Sequence, residues 1–140
     1  MGERTLRYDD VKVGDQAPPI EHKLTRTDLV MYAGASGDFN PMHTDEVAAK
    51  EAGLPSVFGH GMFSAGLLAT AVTNYVGIGN LTSYRVRFTK QTWPGEKLST
   101  TVAVTEKRPG NEIVLECALV NESGEAKIQG EAVAVLPVEG

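Results

Sequence analysis

A single cysteine, Cys117, is the only thiol in the chain. That excludes an intrachain disulfide and any zinc site built on cysteines, and it fits a reducing cytoplasm. Basic charge is also short. Thirteen Lys and Arg against eighteen Asp and Glu leave a net charge of -5, the wrong sign for a nucleic-acid surface, which needs excess cations to meet phosphates. A local basic patch for a small acidic metabolite is not excluded. Long apolar runs are missing too. The first twenty residues hold none, and the longest stretch, Met62 to Ala71, is too short and interrupted to span a bilayer. A soluble protein with no membrane insertion is expected. There is no repeat and no low-complexity tract, and 140 residues suit a single domain over 1–140 with one core and no linker.

What is present divides by period. Up to Gly77-Ile78-Gly79-Asn80 the chain is helical and loop-rich; beyond it, apolar residues alternate with period two. Asp9 to Pro19 reads as irregular and Ile20 to Leu24 as a short strand. Thr25 with Asp28 makes a capping box that opens a helix, and Gly34 to Pro41 breaks it. Thr44 is expected to cap a second short helix, with Asp45 and Glu46 at its positive end and Gly53 and Pro55 past its close. From Gly61 to Val76 the pattern is apolar nearly all round, which predicts a helix buried on every face. Rows led by Tyr84, Leu98 and Ile113, then Ile128 to Leu136, predict four strands. Their short connections favour an antiparallel meander. Such a sheet packs best curled around the helix, an α+β arrangement, and its open edge predicts dimerisation through the sheet.

Residues 34–45 read GASGDFNPMHTD and set an acid, an amide and a histidine, Asp38, Asn40 and His43, on one short segment. An Asp and a His on one loop can hold a water molecule, the imidazole taking its proton and the carboxylate orienting it. Asn before Pro favours an extended or turn conformation that fixes the loop, and Gly37 gives the backbone freedom. The same residues also write an ordinary turn after a helix, with Asp38 or Asn40 satisfying free backbone groups. Spacing alone leaves these readings level. A second cluster, Val57-Phe58-Gly59-His60-Gly61-Met62, shifts the balance. It sets two glycines at the start of the apolar helix, whose first N–H groups have no partners within the helix and can receive a carbonyl oxygen that gains negative charge. Water activation and an oxyanion site are the two parts needed to add water across a double bond conjugated to a carbonyl. His60 either polarises or shapes this site or is a structural hydrogen-bonding residue. His22 reads as an ordinary strand-edge residue.

Tyr32, the Gly37-Asp38-Phe39-Asn40-Pro41-Met42-His43 run, His60-Gly61-Met62, Val86-Arg87-Phe88 and Pro94-Gly95-Glu96 together resemble the MaoC-like, R-specific enoyl-thioester hydratases over roughly residues 10–137. The chain is similar to about the same degree to the catalytic subunits of mycobacterial-type fatty-acid dehydratases. The resemblance implies a hot-dog fold, an antiparallel sheet wrapped around one long helix. It implies reversible hydration of trans-2-enoyl thioesters to (R)-3-hydroxyacyl thioesters in fatty-acid metabolism. Asp38 and His43 would jointly activate the water, Asn40 and Gly37 would shape the loop, and the Gly61 N–H would hold the thioester oxygen. No metal or redox cofactor is implied, CoA or an acyl carrier entering only as part of the substrate. The implied partner is a second copy or a related hot-dog subunit. One departure bears on the acyl chain: where some members carry a serine about two turns into the helix, this chain has Ala69 with Thr70 beside it.

Arg85 and Arg87 share a strand face, with Lys90 following, and are candidate contacts for CoA phosphates or an acidic carrier protein. A solvated face whose charges keep an edge from pairing explains them as well. Two other functions compete. Thioester hydrolysis is performed by other hot-dog proteins with an acid on or near the central helix, and no acid lies between Met62 and Val76. A non-catalytic acyl-thioester-binding subunit would leave Asp38 and His43 without a purpose.

Overall fold

Thr25 caps the first helix as its spacing with Asp28 predicts: its Oγ1 accepts from the Asp28 N–H at 3.1 Å, and Asp28 Oδ2 accepts from the Thr25 N–H at 2.9 Å. In this computed structural model, which describes residues 6–138, that helix, α1, spans Arg26–Ser36. It follows a short strand, β1, Glu21–Lys23. His22 does more than mark the sheet edge, because its Nε2–H donates to Asp28 Oδ2 at 2.8 Å and ties β1 to the cap. Burial alone would raise the Asp28 carboxyl, but the hydrogen bonds from Thr25 and His22 hold it below its ordinary value. The helix continues past Gly34 and ends where Gly37 adopts φ 76°, a left-handed turn suited to glycine, with its N–H on the Ala33 carbonyl at 3.0 Å.

A 3-10 turn, Pro41–His43, leads to α2, Glu46–Glu51. Its cap is Asp45, whose Oδ1 accepts from the Ala48 N–H at 3.1 Å, in place of the expected Thr44. Aspartate caps as well as threonine does, and the Thr44 N–H already closes the preceding turn on the Pro41 carbonyl at 3.2 Å.

Helix α3, Gly61–Val76, precedes four long strands: β2, Leu81–Phe88; β3, Lys97–Arg108; β4, Glu112–Val120; and β5, Ala126–Val135. All pairs are antiparallel and the sheet order is β1-β3-β4-β5-β2. Strands β3, β4 and β5 form the predicted meander. Strand β2 does not join it beside β3; it pairs with β5 at the far edge. The connection explains why. Crossing three strand spacings takes roughly 15 Å, and the segment from Thr89 to Glu96 can reach roughly 25 Å, so a short link did not require neighbouring strands.

The core lies between α3 and the curved sheet, where Ala65, Leu68, Ala71, Val72 and Val76 meet Leu98, Val102, Val104, Ile113, Leu115, Leu119, Ile128 and Ala132. Small residues on the helix let the sheet come close, and the Tyr84 hydroxyl donates to the Ala65 carbonyl at 2.8 Å. Burial pushes that phenol well above its ordinary range. The helix is not buried on every face, however. Met62, Gly66, Thr70 and Asn74, spaced four apart, form one exposed stripe. Only Met62 among them is a large apolar residue, so this opening exposes little apolar area. Among the described residues, no helix is long and apolar enough to cross a membrane.

Candidate active site

The loop after α1 is held by its own turn chemistry. The Asp38 N–H donates to Ser36 Oγ at 3.1 Å, the Asn40 N–H to Asp38 Oδ1 at 3.3 Å, and the Met42 N–H to Asn40 Oδ1 at 3.1 Å. Pro41 opens the 3-10 turn that ends at His43. The turn reading holds and leaves room for more: one Asp38 oxygen and Asn40 serve the backbone, and the other Asp38 oxygen is directed elsewhere.

That oxygen, Oδ2, lies 4.0 Å from His43 Nε2. The gap is too long for a direct hydrogen bond and short enough for one water to bridge. Asp38 is half exposed, while the His43 side chain is buried. The tautomer of His43 follows from its other nitrogen, which sits 2.6 Å from the Phe58 carbonyl oxygen. A carbonyl only accepts, so Nδ1 carries the proton and Nε2 presents its lone pair toward Asp38. The ring packs edge-on against Phe58 and lies flat against His60, with centroids 3.8 Å apart and planes 27° from parallel. By the same logic His60 carries its proton on Nε2, which donates to the Asp38 carbonyl at 3.1 Å. Its Nδ1 is buried and finds no partner among the described residues. Tyr32 packs edge-on against His60 from another side, at 4.9 Å between centroids.

Of the two glycines that flank His60, only one has an N–H free of partners among the described residues. The Gly59 N–H is committed to the Thr92 carbonyl at 2.8 Å, and an added Cβ at Gly59 would lie 2.1 Å from Thr92 Oγ1. Gly61 is the first residue of α3, so its N–H has no acceptor within the helix and points out at the positive end of the dipole. A Cβ there would lie 3.0 Å from the Phe88 ring. A cleft of about 340 Å³ opens at this point, lined by Phe58, Gly61, Ser64, Phe88, Thr92 and Ile128 with Thr89–Gln91 alongside.

Behind that wall sits Lys127, only 1% exposed. Its Nζ donates to the Gln91 carbonyl at 2.9 Å, to Glu125 at 2.7 Å and to Glu96 at 3.0 Å. Its own carbonyl accepts from the Thr89 and Lys90 N–H groups at 3.0 and 3.3 Å. Burial alone would lower the ammonium, but the two carboxylates hold it above its ordinary value. The lysine thus clamps the segment that forms one side of the cleft.

The structure brings Gly37, Asp38, Asn40, His43, His60 and Gly61 to one place. It does not bring Arg85 and Arg87 there. Both lie on the opposite face of the sheet, along a groove shared with Glu116 and Glu131; Arg85 reaches Glu131 at 3.5 Å and Arg87 reaches Gln129 at 3.4 Å. Asp38, His43 and His60 offer ligand atoms within 4.8 Å of one another. A metal would nonetheless sit poorly, because nearly parallel imidazole planes keep their in-plane lone pairs from meeting at one ion. Sequence reasoning missed Phe58, whose contribution is a carbonyl and leaves no mark in the residue type. It also missed Ser64, Phe88 and Thr92, and the burial of Lys127, for which the flanking Glu125 and the earlier Glu96 were the available signal.

Residues 12–126 match the MaoC like domain family. The chain is 28% identical to an (R)-specific enoyl-CoA hydratase of Rhodospirillum rubrum, over 95% of this chain and 93% of that one. It is 36% identical to 3-hydroxyacyl-thioester dehydratase Y of Mycobacterium tuberculosis over 83% of its length, and spans 41% of that longer protein. Among solved structures, the unliganded R-hydratase PhaJ1 of Pseudomonas aeruginosa superposes with a TM-score of 0.87 at 28% identity, covering 96% of this chain and 88% of that one.

Proposed function

The chain belongs to the MaoC-like family, and from that premise we propose that it adds water reversibly to trans-2-enoyl thioesters, giving (R)-3-hydroxyacyl thioesters in fatty-acid metabolism. The observation that carries this reading is the 4.0 Å gap between His43 Nε2 and Asp38 Oδ2, one residue along from the free N–H of Gly61 through the stacked His60. In the gap, His43 Nε2 takes a proton from water while the Asp38 carboxylate holds the other hydrogen. The water oxygen bonds to C3, the double-bond electrons move toward the thioester carbonyl, and its oxygen gathers negative charge that the Gly61 N–H meets at the positive end of α3. The enolate electrons then take the proton from His43 onto C2, restoring the neutral imidazole. The balance is one water added across the double bond, with no metal or redox cofactor taking part. Run backward, the same groups dehydrate the hydroxyacyl thioester.

CoA or an acyl carrier protein would bring the acyl group in, and a second hot-dog domain, an identical copy in the simplest case, would pair along the open β2 edge. Cytoplasmic placement rests on the lone Cys117, a thiol that burial pushes up to about 11 and so keeps unreactive. The test is a series of trans-2-enoyl-CoAs of increasing chain length offered to the protein expressed alone, with its size measured in the same sample. Turnover by a particle of two copies supports the proposal. A folded sample that is silent until a related subunit is added would replace the homodimer with a heterodimer.

A further inference from the structure

The dyad is built on a template, and the template is the extended segment ahead of α3. Phe58 anchors the base, because its carbonyl fixes the His43 tautomer at 2.6 Å. Gly61 presents the N–H for the oxyanion. The segment itself is pinned between them, by the Gly59 N–H on Thr92 and a packing so close that no Cβ fits. His60 stands between these anchors and touches both members of the dyad. Its ring lies flat against that of His43, and its Nε2–H reaches the Asp38 carbonyl across 22 positions of sequence.

We propose that His60 is a positioning residue for the hydration reaction, setting the Asp38 carboxylate at its distance from His43 by holding the Asp38 backbone. This rests on the hydratase reading above. Asp38 lies on an exposed loop, and its other hydrogen bonds among the described residues are with its sequence neighbours Ser36 and Asn40, which move with it. The bond from His60 is the one that ties it to a buried element, the same element that holds His43. A histidine that only filled space could give way at no loss to an apolar ring, since its Nδ1 is buried without a partner among the described residues, an arrangement that opposes stability. The donor on Nε2 is the property that an apolar ring lacks. Catalytic groups displaced by about 1 Å can lose roughly a hundredfold in rate, so a single bond that sets a 4.0 Å gap matters to turnover more than to folding.

Two substitutions separate donor from ring. His60→Phe keeps a ring against His43 and loses the donor; His60→Gln keeps a donor near the place of Nε2 and loses the ring. The expected result is that His60→Phe lowers kcat by about 10- to 100-fold with KM within about twofold and the melting temperature preserved, and that His60→Gln recovers most of the rate. A His60→Phe variant with normal kcat, or a stable His60→Gln variant no better than His60→Phe, would overturn the proposal. A second measurement stands apart from activity. Amide hydrogen exchange over residues 38–43 should quicken in His60→Phe and not in His60→Gln, and long-range proton–nitrogen NMR of the wild-type protein should find the His60 proton on Nε2. Unchanged exchange, or a proton on Nδ1, would overturn the positioning role even in an active enzyme. If the wild-type protein hydrated no enoyl thioester, the hydratase reading would fall, while the exchange data would still decide whether His60 holds the loop.

Discussion

The imidazole of His43 lies flat against that of His60, and each ring gives its only N–H to a backbone carbonyl, of Phe58 and Asp38 respectively. Two histidines thus have fixed tautomers without a carboxylate partner, and the one lone pair that faces the loop belongs to His43 Nε2. The site is ordered largely by main-chain groups.

Removing either reacting group should stop turnover and spare the fold. Asp38→Asn and His43→Ala are each expected to lower kcat by roughly 10²- to 10⁴-fold, with KM changed little, because the proposed mechanism has both acting in the transition state. Steady-state kinetics with circular dichroism of each variant checks this.

Gly61 can be tested for its N–H separately from its size. Both Gly61→Ala and Gly61→Pro place a Cβ 3.0 Å from the half-exposed Phe88 ring, but only proline removes the N–H. Proline suits the first turn of a helix, and His60 has φ -65° and ψ 134°, a conformation compatible with a following proline. The alanine variant should keep most of its kcat, and the proline variant should fall further by roughly 10²- to 10³-fold.

Gly59 and Thr92 should show strong coupling. Gly59→Ala drives a Cβ to 2.1 Å from Thr92 Oγ1, an overpacking expected to cost roughly 1–3 kcal/mol. Thr92→Ala removes a buried hydroxyl that has no partner among the described residues, so alone it should be close to neutral. The double variant should recover most of the loss, as measured by denaturant unfolding.

Lys127→Met leaves Glu96 without its cation and Glu125 with Lys90 as its remaining one, and should destabilise the protein by about 3 kcal/mol through the buried Glu96, loosening the cleft wall that Lys127 holds through Gln91. Its ammonium is held above the ordinary 10.5, so its contribution is fully present below that pH and is lost as pH rises through the higher folded value. Wild-type stability should therefore decline on the alkaline side, and the gap to Lys127→Met should narrow there.

Asp28→Ala removes the reciprocal half of the α1 cap and the partner of His22, a loss of about 1 kcal/mol at neutral pH. The carboxyl is held below its ordinary 3.8, so this contribution is present above that value and is lost as pH falls through the lower folded value. The difference between wild type and variant should shrink in acid unfolding experiments below that point.

Local signals in the sequence carried over well wherever the deciding contact lay within a few residues. The Thr25–Asp28 box, the start of α3 at Gly61 and the alternation of β3 to β5 depend on neighbours along the chain, and the structure has them where the spacing put them. The partner of β2 depended on where the sheet closes, which period-two alternation does not encode. All-round apolarity over-read α3, because it registered Gly66 and Ala69 as permissive and gave too little weight to Thr70 and Asn74 on the same side. In the candidate site, Asp38, His43 and Gly61 were legible as residue types with chemistry. The groups that hold them, the Phe58 carbonyl and the His60 ring face, are a main-chain atom and a stacking contact that no residue type announces.

The central claim is that one water held between Asp38 and His43 is added to an enoyl thioester. The most direct measurement follows enoyl absorbance, free thiol and product stereochemistry together, for the wild-type protein and Asp38→Asn on the same trans-2-enoyl-CoA. The expected outcome is loss of enoyl absorbance, an (R)-3-hydroxyacyl product and no thiol for the wild type, with turnover nearly absent in the variant. Release of thiol, or equal turnover by Asp38→Asn, would contradict it.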